Sequence, residues 1–326
     1  MVSLTIKKEV CPLEGSFTIS RVTMTESYVL VVELREAGHV GRGECEPHES
    51  DFSQMDVVES IIEDLRPLIE KGLSREQLNL LLPAGPARNA IDCALWDLEA
   101  KKAGKRAWDI AGVKLQQPLV TAYTICLEAP EEMAAKAARH KDRALLKLKL
   151  GAKDSLLRVE AVRRAAPDAR LIVDANEAWS YEELRCLAEP LAKYGVELIE
   201  QPLPAGADHV LENYRGPVPL CADESCLDRT SLADVKTRYG FINIKLDKTG
   251  GLTEALKLAE DAQALGLRIM VGCMTGTSLA MAPAMILGAM AEFCDLDGPL
   301  LLAKDRKPGL WYDQSLVHIP EKRLWG

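Results

Sequence analysis

Charged side chains end a series of short apolar runs between residues 145 and 245 of this chain, at nearly constant intervals. The charges that end these runs are Lys147, Lys149, Asp174, Glu200, Asp223 and Lys245. From Asp174 onwards the intervals are 26, 23 and 22 residues, close to the length of one strand followed by one helix. A parallel barrel places the carboxyl ends of its strands on one face, where active sites lie. Three carboxylates and three amines are therefore expected to converge on one site.

Size and composition fit such a barrel together with a smaller domain. The chain has 326 residues, of which 48% are hydrophobic, and a barrel alone takes roughly 200–250 residues. The net charge of −9 argues against a nucleic-acid partner, because phosphate binding needs a basic surface. Nine dispersed cysteines without a C-x-x-C pair indicate reduced thiols in a cytoplasmic protein. No apolar stretch is long enough to span a bilayer, so no membrane association is expected.

The first hundred residues predict a mixed α+β domain. Residues 27–36 and 40–45 alternate loosely around a turn at Gly38, which is typical of an antiparallel hairpin. Apolar residues at helical spacing follow at 55–71 and 87–103.

Strands and helices alternate regularly from about residue 118. Strands are predicted near 118–125, 145–150, 170–174, 196–200, 218–222, 241–246, 268–272 and 293–296. Helices are predicted near 130–140, 153–165, 180–193, 207–213, 229–238, 251–265 and 276–290. Eight strands and seven helices predict a parallel sheet that closes into a barrel. The predicted domains are 1–115, joined by a returning C-terminal segment from about 300 to 326, and 116–299.

Strand side chains alternate between two faces, and this alternation places the lysines inside the barrel. Leu146 and Leu148 are expected to face the helices, so that Lys147 and Lys149 face the lumen. Six charges at the ends of five neighbouring strands are too many to be accidental, since a buried charge without a partner is costly.

The carboxylates among these charges are hard oxygen ligands. Asp174, Glu200 and Asp223 form an oxygen set with open positions, which suits Mg²⁺ completed by water and substrate oxygens. The neighbouring Glu224 leaves the choice of ligand open at this point, because only one of the two adjacent acids can face the lumen.

Five short motifs in barrel order resemble the enolase superfamily, in its muconate-lactonizing subgroup. They are Lys147-Leu148-Lys149, Val173-Asp174-Ala175-Asn176, Glu200-Gln201-Pro202, Ala222-Asp223-Glu224-Ser225, and Asn243-Ile244-Lys245 followed by Gly250-Gly251. The resemblance covers essentially the whole chain. It implies an α/β fold, a (β/α)7β modified TIM barrel with an N-terminal α+β capping domain.

The resemblance also implies a role for each charge. The implied Mg²⁺ ligands are Asp174, Glu200 and Asp223, and the implied acid/base catalysts are Lys149 and Lys245, with Lys147 tuning Lys149. Removing a proton next to a carboxylate creates a dianionic enediolate, whose charge Mg²⁺ offsets. A lysine acts as a base only when it is partly neutral, and a nearby cation and a dry site are expected to lower its pKa.

Two further positions concern the substrate. The sequence Asp295-Leu296-Asp297 resembles the dipeptide epimerases, in which an acidic pair holds the substrate ammonium. Arg21 lies where the alanyl-glutamate epimerases carry an arginine that pairs with the glutamate side chain. Met24 stands where some relatives have a second basic residue, and His48 in the loop 44–50 is a weaker candidate for substrate contact. Specificity for glutamate is therefore left open.

These observations predict an isomerase. The predicted function is a Mg²⁺-dependent dipeptide epimerase of L-Ala-D/L-Glu type, acting by 1,1-proton transfer at the α-carbon of the C-terminal residue through an enediolate. A role in cell-wall peptide metabolism is implied by the resemblance alone. The rivals are a dipeptide epimerase of other specificity, an o-succinylbenzoate synthase or cycloisomerase of the same subgroup, and a non-catalytic metabolite-binding barrel. Assembly into a homo-oligomer is left open.

Overall fold

The N-terminal part of the chain forms an antiparallel sheet. The computed structural model describes residues 2–47 and 52–326. Three strands pair in the order β1 (Ser3–Thr18), β2 (Thr23–Glu36) and β3 (His39–Cys45). The predicted hairpin of β2 and β3 is confirmed. The sequence did not reveal β1, because most of its side chains are exposed or half-buried and give no clear alternation.

Four helices follow this sheet along the chain. They are α1 (Phe52–Ile69), α2 (Arg75–Leu81), α3 (Pro86–Ala103) and α4 (Ala107–Ala111). Helices α1 and α3 contact the sheet, whereas α2 and α4 pack against α3. Helix α3 begins with a proline in its first turn and ends at Gly104 in the left-handed conformation, as helix signals predict. Nearly all of its residues are buried, because α3 lies between the sheet and the barrel.

The remainder of the chain builds the predicted parallel barrel. After the short strand β4 (Leu119–Val120), eight parallel strands follow in sequence order: β5 (Tyr123–Ile125), β6 (Leu145–Lys149), β7 (Arg170–Asp174), β8 (Val196–Glu200), β9 (Leu220–Ala222), β10 (Phe241–Ile244), β11 (Arg268–Val271) and β12 (Phe293–Cys294). The two edge strands approach each other where Ala122 N donates a 2.8 Å hydrogen bond to Cys294 O. The predicted fold class is thereby confirmed.

Helices of unequal length connect the strands. They are α5 (Pro130–Arg139), α6 (Ser155–Ala165), α7 (Tyr181–Lys193), α8 (Leu232–Val235), α9 (Leu246–Thr249), α10 (Leu252–Ala264), α11 (Ser278–Gly288) and α12 (Gly298–Leu301), with 3-10 helices at Ala205–Asn213 and Arg229–Ser231. Helices are present near 207–213 and 229–238 as predicted, but they are not regular α-helices. The first is a 3-10 helix, and the second is a 3-10 turn followed by the four-residue α8.

Strand alternation divides the side chains of the barrel as predicted. Leu146 and Leu148 pack in the layer between strands and helices. Leu145, which shares a face with both predicted lysines, belongs to a separate lumen cluster. That cluster consists of Ala122, Leu145, Ile172, Leu198, Cys221, Phe241, Met270 and Phe293. It fills the barrel below the charged strand ends.

The C-terminal segment contacts both parts of the molecule. Strands β13 (Tyr312–Asp313) and β14 (Leu316–Val317) pair with β4, so the predicted strand at 118–125 is in fact two strands in different sheets. Trp325 Nε1 donates to Cys93 O at 3.0 Å, and Gly326 N donates to Asp97 Oδ1 at 2.6 Å, both on α3. These contacts support the predicted return of residues 300–326 to the first domain, and the domain boundaries stay a prediction.

Two observations concern the compartment. Each of the nine cysteines has a free thiol, and no disulfide forms within residues 2–47 and 52–326. Among the helices of the described chain, none has the length and apolar character needed to cross a bilayer.

The contact between β3 and α3 gives a test of the packing. A Cβ added at Gly43 would overlap the carbonyl oxygen of Ala90 and lie 2.7 Å from the nitrogen of Ala94. We expect Gly43→Ala to lower the free energy of unfolding by about 1–3 kcal/mol, because the overlap forces the helix away from the sheet. Gly240→Ala is the control, since that Cβ would meet no atom within 4 Å. Equal denaturation midpoints for the two variants would contradict this account of the packing.

Candidate active site

Three carboxylates meet at the carboxyl ends of adjacent barrel strands. Asp174 ends β7, Glu200 ends β8, and Asp223 directly follows β9. One oxygen of each lies within 4.8 Å of the others, and none of the three residues is more than 2% exposed. The regular strand spacing that predicted this convergence thus places the three side chains in one cluster.

Two predicted lysines bind this cluster from one side. The Nζ of Lys147 lies 2.7 Å from Glu200 Oε2 and 3.2 Å from Asp174 Oδ2. The Nζ of Lys149 lies 2.7 Å from the same Asp174 oxygen. Both lysines are on β6, where alternate positions share the lumen face.

A second pair of lysines binds the opposite end of the cluster. The Nζ of Lys245 lies 2.6 Å from Asp223 Oδ2, and the Nζ of Lys248 lies 2.5 Å from Asp223 Oδ1. Lys248 also donates to the backbone oxygens of Cys226 and Asn243. Sequence analysis missed Lys248, because it lies between the strand predicted to end at 246 and the helix predicted to begin at 251, where no element was expected. Its position three residues after Lys245 was the available signal.

Buried amides fix the carboxylates in place. The Nδ2 of Asn243 donates to Glu200 Oε1 at 2.6 Å, and the N of Asn176 donates to Asp174 Oδ1 at 2.9 Å. The Oε1 of Gln201 accepts from Asp223 N at 2.9 Å, while its Nε2 donates to Tyr239 Oη at 3.1 Å. Gln201 is therefore a rigid support for the chain segment that carries Asp223.

Carboxylates raise the pKa of two of these lysines, Lys147 and Lys245. Burial alone would lower the pKa of Lys147, but Asp295, Glu200 and Asp174 outweigh burial and raise it well above its usual range. Burial also acts to lower the pKa of Lys245, and Asp223 with Glu200 reverses the direction.

The three carboxyl groups respond differently to the same environment. Burial would raise the pKa of Asp174, but Lys149 and Lys147 outweigh it and lower the pKa to about 2. Lys245 and Lys248 likewise overcome burial and hold the pKa of Asp223 well below its usual range. Burial and the adjacent Asp174 raise the pKa of Glu200 to about 7.

The cluster fits a divalent cation. Glu200 Oε2 and Asp223 Oδ1 are buried and accept no hydrogen bond from the described residues, although lysine nitrogens lie nearby. Such oxygens retain lone pairs for a ligand. Three carboxylates without histidine or cysteine form a donor set that hard cations such as Mg²⁺ prefer.

The two aspartates after β12 face the same cavity. Asp295 Oδ2 lies 2.7 Å from the Nζ of Lys147, while its buried Oδ1 accepts no hydrogen bond within the described part of the chain. Asp297 Oδ2 accepts from Thr124 N at 2.6 Å. Burial and the adjacent Asp295 raise the pKa of Asp297 to about 7. The pair forms an acidic surface on which a cation would be favoured.

The turn between β1 and β2 covers a cavity of about 760 Å³ above these charges. Arg21 lies in this turn and lines the cavity together with Met24, the lysines and both aspartates. Its Nη2 lies 3.0 Å from Glu224 Oε1. The structure thus separates the adjacent acids, with Asp223 in the carboxylate cluster and Glu224 beside Arg21. His48 lies outside the described residues.

Comparisons with protein families agree with this geometry. Residues 131–320 match the enolase C-terminal domain-like family. Residues 1–112 match the N-terminal domain of the mandelate racemase / muconate lactonizing enzyme family.

Two curated relatives align over most of the chain. The L-Ala-D/L-Glu epimerase of Escherichia coli (strain K12) is 46% identical over 98% of this chain and 100% of its own length. The N-acetyl-D-glutamate racemase of a Pseudoalteromonas species is 46% identical over 75% of this chain and 78% of its own length.

Two solved structures share the complete fold. An enolase family member from Agrobacterium tumefaciens with homology to dipeptide epimerases, with bound sodium and L-Ala-L-Glu, is 48% identical with a TM-score of 0.96 over 100% of both chains. The dipeptide epimerase of Enterococcus faecalis V583, complexed with Mg and L-Leu-L-Tyr, is 27% identical with a TM-score of 0.89 over 98% of this chain and 97% of its own. The chain therefore belongs to the mandelate racemase / muconate lactonizing enzyme family of the enolase superfamily, as its motifs predicted.

Proposed function

We propose that this chain is a Mg²⁺-dependent dipeptide epimerase of L-Ala-D/L-Glu type. The observation that carries the proposal is the position of Lys149 and Lys245, on the second and sixth strands of an eight-stranded barrel. These strands lie on opposite sides of the ring, and both lysines line one cavity. Two amines on opposite sides of a substrate carbon are what inversion by proton transfer needs.

Asp174, Glu200 and Asp223 would hold the metal ion. When bound, Mg²⁺ supplies positive charge that stabilises the developing negative charge on the substrate carboxylate. The solved dipeptide epimerase of Enterococcus faecalis V583, which was complexed with Mg and a dipeptide, supports this assignment.

The lysines of this chain would move one proton per turnover. The neutral amine of one lysine takes the α-proton from one face, and the electron pair moves into the adjoining carboxylate to form an enediolate. The ammonium of the other lysine then returns a proton to the opposite face, which inverts the centre. The raised pKa of Lys245 means that this lysine starts as an ammonium, the form that donates.

The remaining side chains of the cavity favour a dipeptide over other substrates of the family. Asp295 and Asp297 are buried carboxylates that suit the free ammonium of a dipeptide. An N-acylated glutamate, the substrate type in the name of one relative, carries no such ammonium. Synthase and cycloisomerase reactions do not require the acidic pair, and a binding protein would not need a second lysine. Arg21 would contact an acidic side chain of the C-terminal residue.

The cytoplasmic location and the oligomeric state stay predictions.

Exchange of the α-proton in D₂O tests the proposal directly. We expect the protein with Mg²⁺ to epimerise L-Ala-L-Glu and to incorporate deuterium at the glutamate α-carbon. Chelation should abolish the exchange and added Mg²⁺ should restore it. Full activity after thorough removal of metal would contradict the proposal.

The two-base assignment makes a separate prediction. Lys149→Ala and Lys245→Ala should each stop epimerisation, because one face of the carbon loses its proton carrier. Each variant should still exchange the α-proton of one epimer only, which proton NMR can follow. Lys153→Ala is the control, since this exposed lysine lies on the same side of the barrel and outside the cavity. Near wild-type epimerisation by either site variant would rule out the assignment.

The support that Gln201 gives to Asp223 predicts an effect on metal affinity. Gln201→Met keeps the length of the side chain but removes its hydrogen bonds to Asp223 N and Tyr239 Oη. We expect Mg²⁺ to bind about 10–100-fold more weakly, as measured by isothermal titration calorimetry. The exposed Gln263 provides the matched control variant Gln263→Met. An unchanged dissociation constant for Gln201→Met would show that Asp223 does not depend on this support.

The raised pKa of Asp297 predicts a dependence on pH. With a pKa of about 7, Asp297 is ionised above neutrality and loses its charge as the pH falls through that value. The kcat/KM for a dipeptide should therefore fall between about pH 8 and pH 5.5, since this parameter follows ionisations of the free enzyme. In Asp297→Asn the overall kcat/KM should be lower and this part of the profile should be flatter. If kcat/KM of Asp297→Asn fell with pH in the same way as that of the wild type, the ionisation would belong to another group.

The proposed role of Arg21 predicts a change in specificity. Arg21→Met should lower kcat/KM for Ala-Glu by roughly tenfold or more, because a charge-assisted contact contributes about 1.5–3 kcal/mol. The kcat/KM for Ala-Leu should change much less. An equal loss on both dipeptides would mean that Arg21 does not contact the substrate side chain, and would favour an epimerase of different specificity.

A further inference from the structure

The guanidinium of Arg21 is already occupied by groups of the protein. Its Nη2 donates to Glu224 Oε1 at 3.0 Å. Its Nη1 lies 3.3 Å from Asn176 O and 3.5 Å from Glu177 Oε2. An acidic substrate side chain therefore meets an arginine that is shared with two carboxylates.

The two carboxylates are held in different ways. Glu177 Oε1 accepts a 2.8 Å hydrogen bond from Ala205 N, so this side chain is anchored without Arg21. Glu224 Oε1 contacts Arg21, and the buried Glu224 Oε2 accepts no hydrogen bond from residues 2–47 or 52–326. Glu224 is thus the carboxylate that a substrate can displace from Arg21, because Arg21 is its only hydrogen-bonding partner in the described chain.

The charges around Arg21 oppose the binding of a further anion. One guanidinium faces two carboxylates, so these three groups together carry a net negative charge before a substrate arrives. A glutamate side chain adds another negative charge at short range, where like charges repel strongly in a partly buried site. This repulsion decreases when the Glu224 carboxylate moves away from Arg21 and leaves its place to the substrate carboxylate.

We infer that Glu224 determines specificity by competing with the acidic side chain of the substrate for Arg21. This inference rests on the proposed function. In the free protein Glu224 neutralises Arg21, so a neutral C-terminal residue enters without leaving this half-exposed arginine unpaired. A glutamate displaces Glu224 and takes over its contact. The competition reduces the preference for acidic over neutral dipeptides and widens the substrate range.

Removing the charge of Glu224 tests the competition. The measured quantity is the ratio of kcat/KM for Ala-Glu to kcat/KM for Ala-Gln, two dipeptides of nearly the same shape. In Glu224→Gln this ratio should rise about tenfold, mainly through a lower KM for Ala-Glu. Since the ratio is taken within each variant, any general loss of folded or metal-loaded protein cancels. A ratio that stays the same or falls would overturn the inference, the latter by showing that Glu224 positions Arg21 for the substrate.

Two further variants separate displacement from a general charge effect. In Glu177→Gln, where the side chain is anchored by Ala205 N, the ratio should change far less. In the double variant Arg21→Met/Glu224→Gln the increase should vanish, since the two side chains act as a pair. An equal rise in Glu177→Gln, or a rise that persists without Arg21, would overturn the inference.

The wild-type protein distinguishes this inference from the function on which it rests. If the wild type exchanges the α-proton of neither dipeptide, the proposed function fails and the competition fails with it. If the wild type is active and the ratio is unaffected by Glu224→Gln, only the role of Glu224 is wrong.

Discussion

The mutual neutralisation of buried charges is the constraint on which this structure depends. Asp174 and Glu200 share Lys147, and Asp223 is bound by Lys245 and Lys248. Each of these groups comes from a different strand end or turn, so the charges are balanced only when the barrel is complete. A buried ion that loses its partner is strongly destabilising. The reactive end of the barrel is therefore held together by the same contacts that would carry the chemistry.

Irregular backbone at the strand ends positions these charges. Asn176 and Gln201 adopt positive φ values of 42° and 32°, which are uncommon for residues other than glycine. The chain at these points is held by hydrogen bonds from Glu177 N to Gln201 O and from Gln201 N to Cys221 O, each 2.9 Å long. Such conformations persist where the surrounding structure determines them, and they cluster at functional sites. Here they lie two residues after Asp174 and one residue after Glu200.

Much of the barrel and of the charged cluster could be predicted from sequence, because both follow from local patterns. The alternation of strands located Lys147 and Lys149 in the lumen, and the regular spacing brought Asp174 and its two partners together. Elements without a strong local pattern escaped prediction. Strand β1 has few buried side chains, and the segment Ala205–Asn213 gave no pattern that distinguishes a 3-10 helix from an α-helix.

The contacts between distant segments were also beyond the reach of sequence analysis. Lys248 was unremarkable until α9 brought it against Asp223. The pairing of Arg21 with Glu224 joins residues that are 203 positions apart. The direction of the lysine pKa shifts depends on distances to carboxylates, and no periodicity in the sequence encodes such distances. Where charge balance decides the property, the three-dimensional arrangement is needed.

Helix α3 contacts both the capping sheet and the segment that follows the sixth barrel strand. On one side Gly41 and Gly43 bring β3 into close contact with it. On the other, Arg88 donates to Gly250 O at 3.0 Å and to Thr249 O at 2.6 Å, directly after the segment that carries Lys245 and Lys248. A change in the tilt of the cap is therefore expected to displace Lys245, one of the two proposed catalytic lysines. Exchanges on the β1–β2 turn would instead alter the lining of the cavity, to which Ile19, Arg21 and Val22 contribute, without acting through α3.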